Sequence, residues 1–249
     1  MTAWLMGNIL ILLARMKIIM VDPIKASTKE PKVSASGYDV KTSDYFAGDR
    51  ADMLALLNNE VSEGMLEIGC GQGATGKLAL ESKLTERYVG VELMPDAALE
   101  AKKWLSHVEV GDAETMDLAR LSGPFGAILC SEVLEHLHDP WAMVEKLAQQ
   151  LTSGGVLIAS SPNIASKGIV LSLLRGNFEY TEFGVMDRTH LRWFAPKNYR
   201  AMFEEAGLQI ECCKPVSALT WKGRLVNMLT FNKFQHLFWT QTMIVARKP

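Results

Sequence analysis

The sequence predicts an α/β fold, a doubly wound sheet with helices on both faces. Three observations predict it. Short apolar runs alternate with helical patterns from about residue 49 to residue 159, as repeated strand-helix-strand units do. The first run, Met65 to Ile68, ends in Gly69, Gly71 and Gly73, and such a turn joins the first strand to its helix in these sheets. The 249 residues and 48% hydrophobic content suit one sizeable domain with appendages.

The elements follow in order. Residues 1–44 form an apolar N-terminal segment and a leader, and the main domain runs from 45 to 249. The run from Ala3 to Ala14 is too short to span a bilayer, which takes roughly twenty apolar residues. It is also reversed for a signal peptide, because Arg15 and Lys17 follow it. Two readings stand: the segment packs on the domain or on a membrane surface, or translation starts at Met16 or Met20. Asp22 to Asp44 carries Pro23, Pro31, Gly37 and no apolar period, as a flexible leader does. A helix is predicted at Asp49 to Leu57, then a strand at Met65 to Ile68 and a helix at Ala74 to Glu81. Next come a strand at Tyr88 to Val91, a helix at Asp96 to Leu105, and strands at Val108 to Val110 and Ala127 to Cys130. Asp139-Pro140 caps a helix reaching Leu151, Gly154-Gly155 turns out of it, and Val156 to Ala159 is the next strand. A helix from Pro196 to Ala206 closes at Gly207, and strands at Leu208 to Cys213 and Trp239 to Val245 complete the chain.

Composition excludes some functions. A net charge of −2 gives no basic field, so nucleic acid bound through phosphate neutralisation is not expected. Cys70, Cys130, Cys212 and Cys213 show neither C-x-x-C nor zinc spacing, which fits a reducing cytoplasm.

The chemistry concentrates at the glycine turn. Gly71-Gln72-Gly73-Ala74-Thr75-Gly76 matches the G-x-G-x-x-G pattern, and by itself it fits a nicotinamide or flavin enzyme. Three carboxylates argue otherwise. Glu67 lies two residues before Gly69, where it would repel a pyrophosphate but suit a ligand carrying an ammonium and a sulfonium. Glu92 ends the second strand, where an acid accepts both hydroxyls of a ribose. Asp112 follows the third strand, placed for an exocyclic adenine amine. Each has a plainer reading as well, Glu67 and Asp112 as helix caps above all.

Leu66-Glu67-Ile68-Gly69-Cys70-Gly71-Gln72-Gly73, then Ser131-Glu132-Val133-Leu134-Glu135-His136-Leu137 with Asp139-Pro140, then Leu151-Thr152-Ser153-Gly154-Gly155 resemble, in that order, the motifs of class I S-adenosylmethionine-dependent methyltransferases. The likeness covers Tyr45 to the C-terminus. It implies a seven-stranded, mostly parallel, Rossmann-like sheet ending in an antiparallel C-terminal strand. It also implies S-adenosylmethionine as cofactor, held by Glu67, Gly69, Gly71, Gly73, Glu92, Leu93, Asp112, Ala113 and Ser131. Ser160-Ser161-Pro162-Asn163 with Gly184 to Phe194 is similar to a bacterial subgroup associated with polysaccharide and glycan biosynthesis, which implies a sugar or lipid-linked glycan acceptor.

On the acceptor side, His190 is the first candidate base, and a histidine near its ordinary pKa accepts a proton at neutral pH. Its plainer reading is a tie holding the lid loop. His136 competes: Glu132-x-x-Glu135-His136 resembles a metal-binding pattern of some quinone-biosynthetic O-methyltransferases, but the same letters pack a strand against its helix in metal-independent relatives, so no metal is expected and that trio is the alternative. Residues 164–194 form an acceptor-side lid whose aromatics Phe178, Tyr180, Phe183, Trp193 and Phe194 read mainly as packing. Tyr45 and Phe46 are placed to close over the methionine end. From Ser217 to Phe238, Trp221, Leu225, Met228, Leu229, Phe231, Phe234 and Leu237 fall among basic residues, a pattern for core, dimer or peripheral membrane contact. The expected activity is methyl transfer to a small-molecule or glycan oxygen. A nicotinamide-dependent oxidoreductase and a non-catalytic cofactor-binding scaffold are the alternatives.

Overall fold

The computed structural model describes residues 48–57, 61–219, 221, 224, 227, 228 and 230–249. The N-terminal segment, Tyr45, Phe46, Lys222, Leu225 and Leu229 lie outside them, and so do the expectations placed on them.

Strand β1 (Met65–Ile68) is buried at all four positions, because it has parallel neighbours on both edges and helices on both faces. Around it stand β2 (Tyr88–Glu92), β3 (His107–Val110), β4 (Phe125–Ser131), β5 (Leu151–Pro162), β6 (Gln209–Pro215) and β7 (Gln241–Arg247). The sheet order is β3-β2-β1-β4-β5-β7-β6. The first five strands pair in parallel, and β7 lies antiparallel to both β5 and β6. The seven-stranded, doubly wound sheet is thus present, with its antiparallel C-terminal strand inserted between β5 and β6.

The alternation of side chains splits the core into two. Met65, Tyr88, Leu129 and Ile158 pack with Met53 of α1 (Ala51–Leu54), Ala79 of α2 (Ala74–Glu81) and Ala98 of α3 (Pro95–Ala101). Leu66, Ile68, Ile128 and Leu157 pack on the opposite face with Val144 and Leu147 of α4 (Pro140–Gln150) and Tyr199 and Phe203 of α6 (Pro196–Glu205). Helix α5 (Lys167–Leu174) buries no residue.

Local chemistry sets the boundaries. Asp139 Oδ1 accepts from the Ala142 amide at 3.0 Å, so α4 begins where its capping residue and proline place it. Its end differs from expectation. The helix stops at Gln150, and Leu151 already pairs with Phe125; Val156 then pairs with Ala127, so the intervening residues form an excursion in β5. Gly154, at φ +78, serves that bulge rather than a helix terminus. α1 and α3 are shorter than predicted, and Leu105 is reached through turns that continue α3.

Gly76 shows how tightly α2 meets the sheet. A Cβ there would lie 2.3 Å from Leu105 Cδ2 and 2.5 Å from Tyr88 Cδ1. Gly→Ala inside a helix ordinarily stabilises by about 1 kcal/mol. Here Gly76→Ala should instead destabilise by about 1–3 kcal/mol, the scale of overpacking, as read from urea denaturation midpoints.

The order reverses between β1 and β4, and the crevice at their carboxyl ends is where an open α/β sheet binds ligands. Every candidate group described next stands at that end of the sheet.

Candidate active site

Gly69, Gly71 and Gly73 have φ of +72, +53 and +83, which L side chains seldom adopt. A Cβ on Gly69 would also meet Val133 Cγ2 at 2.7 Å. The loop leaves β1 with the amides of Gly69 and Cys70 bonded to the Val91 carbonyl, and Gly73 starts α2. Loop and helix start therefore share one backbone geometry, which glycine satisfies.

Glu67 and Glu92 lie buried on either side of this loop. Tyr88 donates its hydroxyl to Glu67 Oε2 at 2.9 Å. Burial pushes the Glu67 carboxyl up to about 7, against the bonds from Tyr88 and Thr75 and the charge of Arg50. Glu92 is fixed by two backbone amides on separate oxygens, Gly71 on Oε2 and Met94 on Oε1, both at 2.8 Å. Burial raises its pKa too, and the two amides oppose the rise. Two desolvated carboxylates beside one loop fit a cationic ligand and disfavour a pyrophosphate. That donor set fits the ammonium, sulfonium and ribose of S-adenosylmethionine.

Glu67 also sets a pH dependence. Its folded-state pKa lies above the ordinary 4.5, so the folded protein holds more protons than the unfolded chain between about 4.5 and 7. Stability falls as pH rises through that window. Between pH 5 and pH 8, Glu67→Gln should therefore gain on the parent by about 3 kcal/mol, as read by urea denaturation of cofactor-free protein.

The remaining cofactor candidates occupy the adjacent strand ends. Asp112 is exposed, and its Oδ1 accepts from the Glu114 amide at 2.9 Å, the turn-capping arrangement. Ala113 is buried and Leu93 is 44% exposed. Ser131 Oγ accepts from Arg50, whose guanidinium also reaches Ser160 Oγ at 3.0 Å and is paired by Asp52 at 2.8 and 2.9 Å. Sequence reasoning did not find Arg50, which is far from the motifs in the chain yet lies across the ends of β4 and β5. Its only local signal is the Arg-x-Asp pair.

On the acceptor side, a 3-10 turn (Leu134–His136) follows β4. It places Glu135, His136 and His190 together, with ligand-capable atoms within 4.8 Å of one another. Glu135 is 1% exposed, and both its carboxylate oxygens lack a hydrogen-bond partner. Burial first, and then the charge of Glu132, raise its pKa well above the carboxylate range. Ser161 Oγ opposes that rise but makes no hydrogen bond to the carboxylate within ordinary geometry. The two imidazoles meet edge to face at 4.7 Å. His136 Nδ1 lies 3.1 Å from the Thr189 carbonyl and His190 Nδ1 3.0 Å from the Val185 carbonyl. A carbonyl only accepts, so each Nδ1 carries a proton, and in the neutral imidazole Nε2 then holds the lone pair.

Glu132 stands apart from this cluster. It has φ +53, accepts from Ser160 Oγ at 2.7 Å and from Gln241 Nε2 at 2.9 Å, and so joins β4, β5 and β7. The carboxylate-histidine set is therefore completed by His190, from the segment after β5. Leu191 and Arg192 amides donate to the Glu135 carbonyl at 2.8 and 2.9 Å, which holds that segment in register.

The comparisons agree with this architecture. The family model described as a methyltransferase domain matches residues 41–212, well over half of the chain. A ubiquinone biosynthesis O-methyltransferase of Xanthomonas axonopodis pv. citri is 28% identical over 165 residues, 64% of this chain and 68% of that protein. A putative methyltransferase from Bacillus halodurans superposes with TM-score 0.56 at 17% identity, over 80% of this chain and 98% of its own. The N-methyltransferase NodS of Bradyrhizobium japonicum, solved with S-adenosyl-L-homocysteine, gives 0.51 at 18% identity over 83% and 85%. The chain belongs to the methyltransferase domain family and is an S-adenosylmethionine-dependent methyltransferase.

Proposed function

We propose that this enzyme methylates a hydroxyl oxygen on a small aromatic ring, a phenol of the quinone-precursor type. The observation that carries the reading is the buried, unpartnered carboxylate of Glu135 beside His136 and His190. A phenol has a pKa of about 10 and must lose a proton to attack. A built deprotonating cluster suits that acceptor. The names of the O-methyltransferase relatives point the same way.

S-adenosylmethionine supplies a methyl group on a sulfonium, an electrophile that needs no further activation. Glu92 would accept the ribose hydroxyls while keeping the Gly71 amide in place. Asp112 would accept from the adenine amine. Glu67, tied to Tyr88, would offer negative charge to the cationic end, and Arg50, bonded to Ser131, would meet the cofactor carboxylate. Holding acceptor and methyl in line then supplies much of the rate, with effective molarities of order 10⁵–10⁸ M as the scale.

Glu135, His136 and His190 would hold a divalent cation, which would supply a Lewis acid that lowers the acceptor's pKa. The fit rests on Glu135: a fully buried carboxylate with no donor is costly unless a cation compensates it. The imidazole tautomers agree, because a backbone carbonyl on Nδ1 orients a ligating Nε2. Without a cation, His190 Nε2 is the base. Residues 164–194 cover the acceptor, and the edge-to-face rings of Phe178, Tyr180 and Trp193 stiffen that cover. A sugar or glycan acceptor is the second class, supported by the likeness of Ser160-Ser161-Pro162-Asn163 and of Gly184 to Phe194 alone. Four unpaired thiols agree with a cytoplasmic setting.

The test is transfer of labelled methyl from S-adenosylmethionine to a dihydroxybenzoate, with a primary amine and a hexose as competitors. Methyl on the phenolic oxygen is expected. Transfer to the amine or the hexose alone would contradict the reading.

A further inference from the structure

We propose that the lid helix and the turn before β7 form one surface that docks on an anionic lipid bilayer. Topology brings the two together. Pro162 at the end of β5 pairs with Gln241 at the start of β7, so the segments beyond each leave the sheet at the same end, beside the candidate active site. Asn163 Nδ2 ties them by donating to the carbonyls of His236 at 2.7 Å and Trp239 at 2.9 Å. Lys167 Nζ lies 5.2 Å from the centre of the Phe238 ring.

This surface shows its apolar side chains to solvent. Leu171 and Leu174 of α5 are 47% and 78% exposed, and Met228, Phe231 and Phe234 of the turn are 66%, 86% and 51% exposed. Phe231 and Asn232 hold consecutive positive φ values of +51 and +60. Asn accepts that region readily, whereas Phe adopts it at a conformational cost while staying 86% exposed.

Charge selects the occupant. No Asp or Glu occurs in residues 163–178 or 212–249, while Lys167, Arg175 and Lys233 border the apolar side chains. The nearest lid acids follow α5, and Glu182 is paired with Arg188 at 3.4 Å. A second copy would set cation against cation across the interface, whereas lipid phosphates answer both the apolar and the cationic parts. Among the described residues no helix is long and apolar enough to cross a membrane, so contact is at the surface. The proposal does not depend on which acceptor the enzyme uses.

Flotation of the full chain with phosphatidylglycerol–phosphatidylcholine vesicles, and with phosphatidylcholine alone, tests it. The parent should float with the anionic vesicles, less with the neutral ones, and less as salt is raised. Leu174→Ser combined with Phe231→Ser should lower the bound fraction at least about tenfold, the scale for withdrawing one buried Leu or Phe from an apolar medium. Unchanged S-adenosylmethionine affinity shows that this variant is folded. Equal flotation of variant and parent, binding indifferent to lipid charge, or no binding by the parent would overturn the proposal. So would a parent dimer, by light scattering, that Phe231→Ser dissociates.

Discussion

Glu135→Gln, which removes the carboxylate that would hold the cation, should lower methyl transfer by about 10²–10⁴-fold, the scale of acid–base assistance to the acceptor, while S-adenosylmethionine affinity stays at the parent value. Stability should move the other way. The carboxylate is buried without a partner, and burial already holds its pKa above the carboxylate range. The neutral amide keeps the shape and carries no charge that burial would penalise. At pH 8, in metal-free protein, the melting temperature of Glu135→Gln should equal or exceed that of the parent. Single-turnover kinetics with calorimetry checks both halves. A variant that melts early and loses turnover in proportion would instead make Glu135 a folding residue.

The second large effect belongs to Glu92. Its two oxygens each accept a different backbone amide, Met94 on Oε1 and Gly71 on Oε2. Glu92→Gln must turn its own NH₂ toward one of those amides, donor against donor, so the nominally conservative change is not conservative. Hydrogen bonds to a charged group contribute about 1.5–3 kcal/mol each. Glu92→Ala and Glu92→Gln should both weaken S-adenosylmethionine binding on the order of a hundredfold, measured by isothermal titration. Asp112→Ala should cost less, because Asp112 is exposed and already capped into its turn.

The parts of the site readable in advance are those written locally. Met65 to Ile68 is a short apolar run cut off by glycines, and both it and Ala74–Glu81 lie where the pattern placed them. Glu67 and Glu92 were legible because strand ends are fixed points of a doubly wound sheet. Gly154-Gly155 misled, since a glycine pair marks a helix end or a bulge equally well and only pairing with β4 chose the bulge. Arg50 was invisible, because its partners Ser131 and Ser160 arrive from 81 and 110 residues away. The same holds for the third member of the histidine cluster. Glu132, Glu135 and His136 are adjacent in sequence, yet Glu132 turns toward Ser160 and Gln241. His190 takes the place beside Glu135 because the Leu191 and Arg192 amides bond back to the Glu135 carbonyl.

Metal restoration distinguishes a cation held by Glu135, His136 and His190 from His190 acting alone in preparing the hydroxyl for methylation. Protein stripped by a strong chelator is assayed for methyl transfer to a dihydroxybenzoate, then again after adding Mg²⁺, Mn²⁺ or Zn²⁺ back, with bound metal quantified. One metal per chain, turnover that returns with it in the parent, and no return in Glu135→Gln are the predicted results. Full turnover by the stripped enzyme would contradict the cation's role and leave His190 as the base.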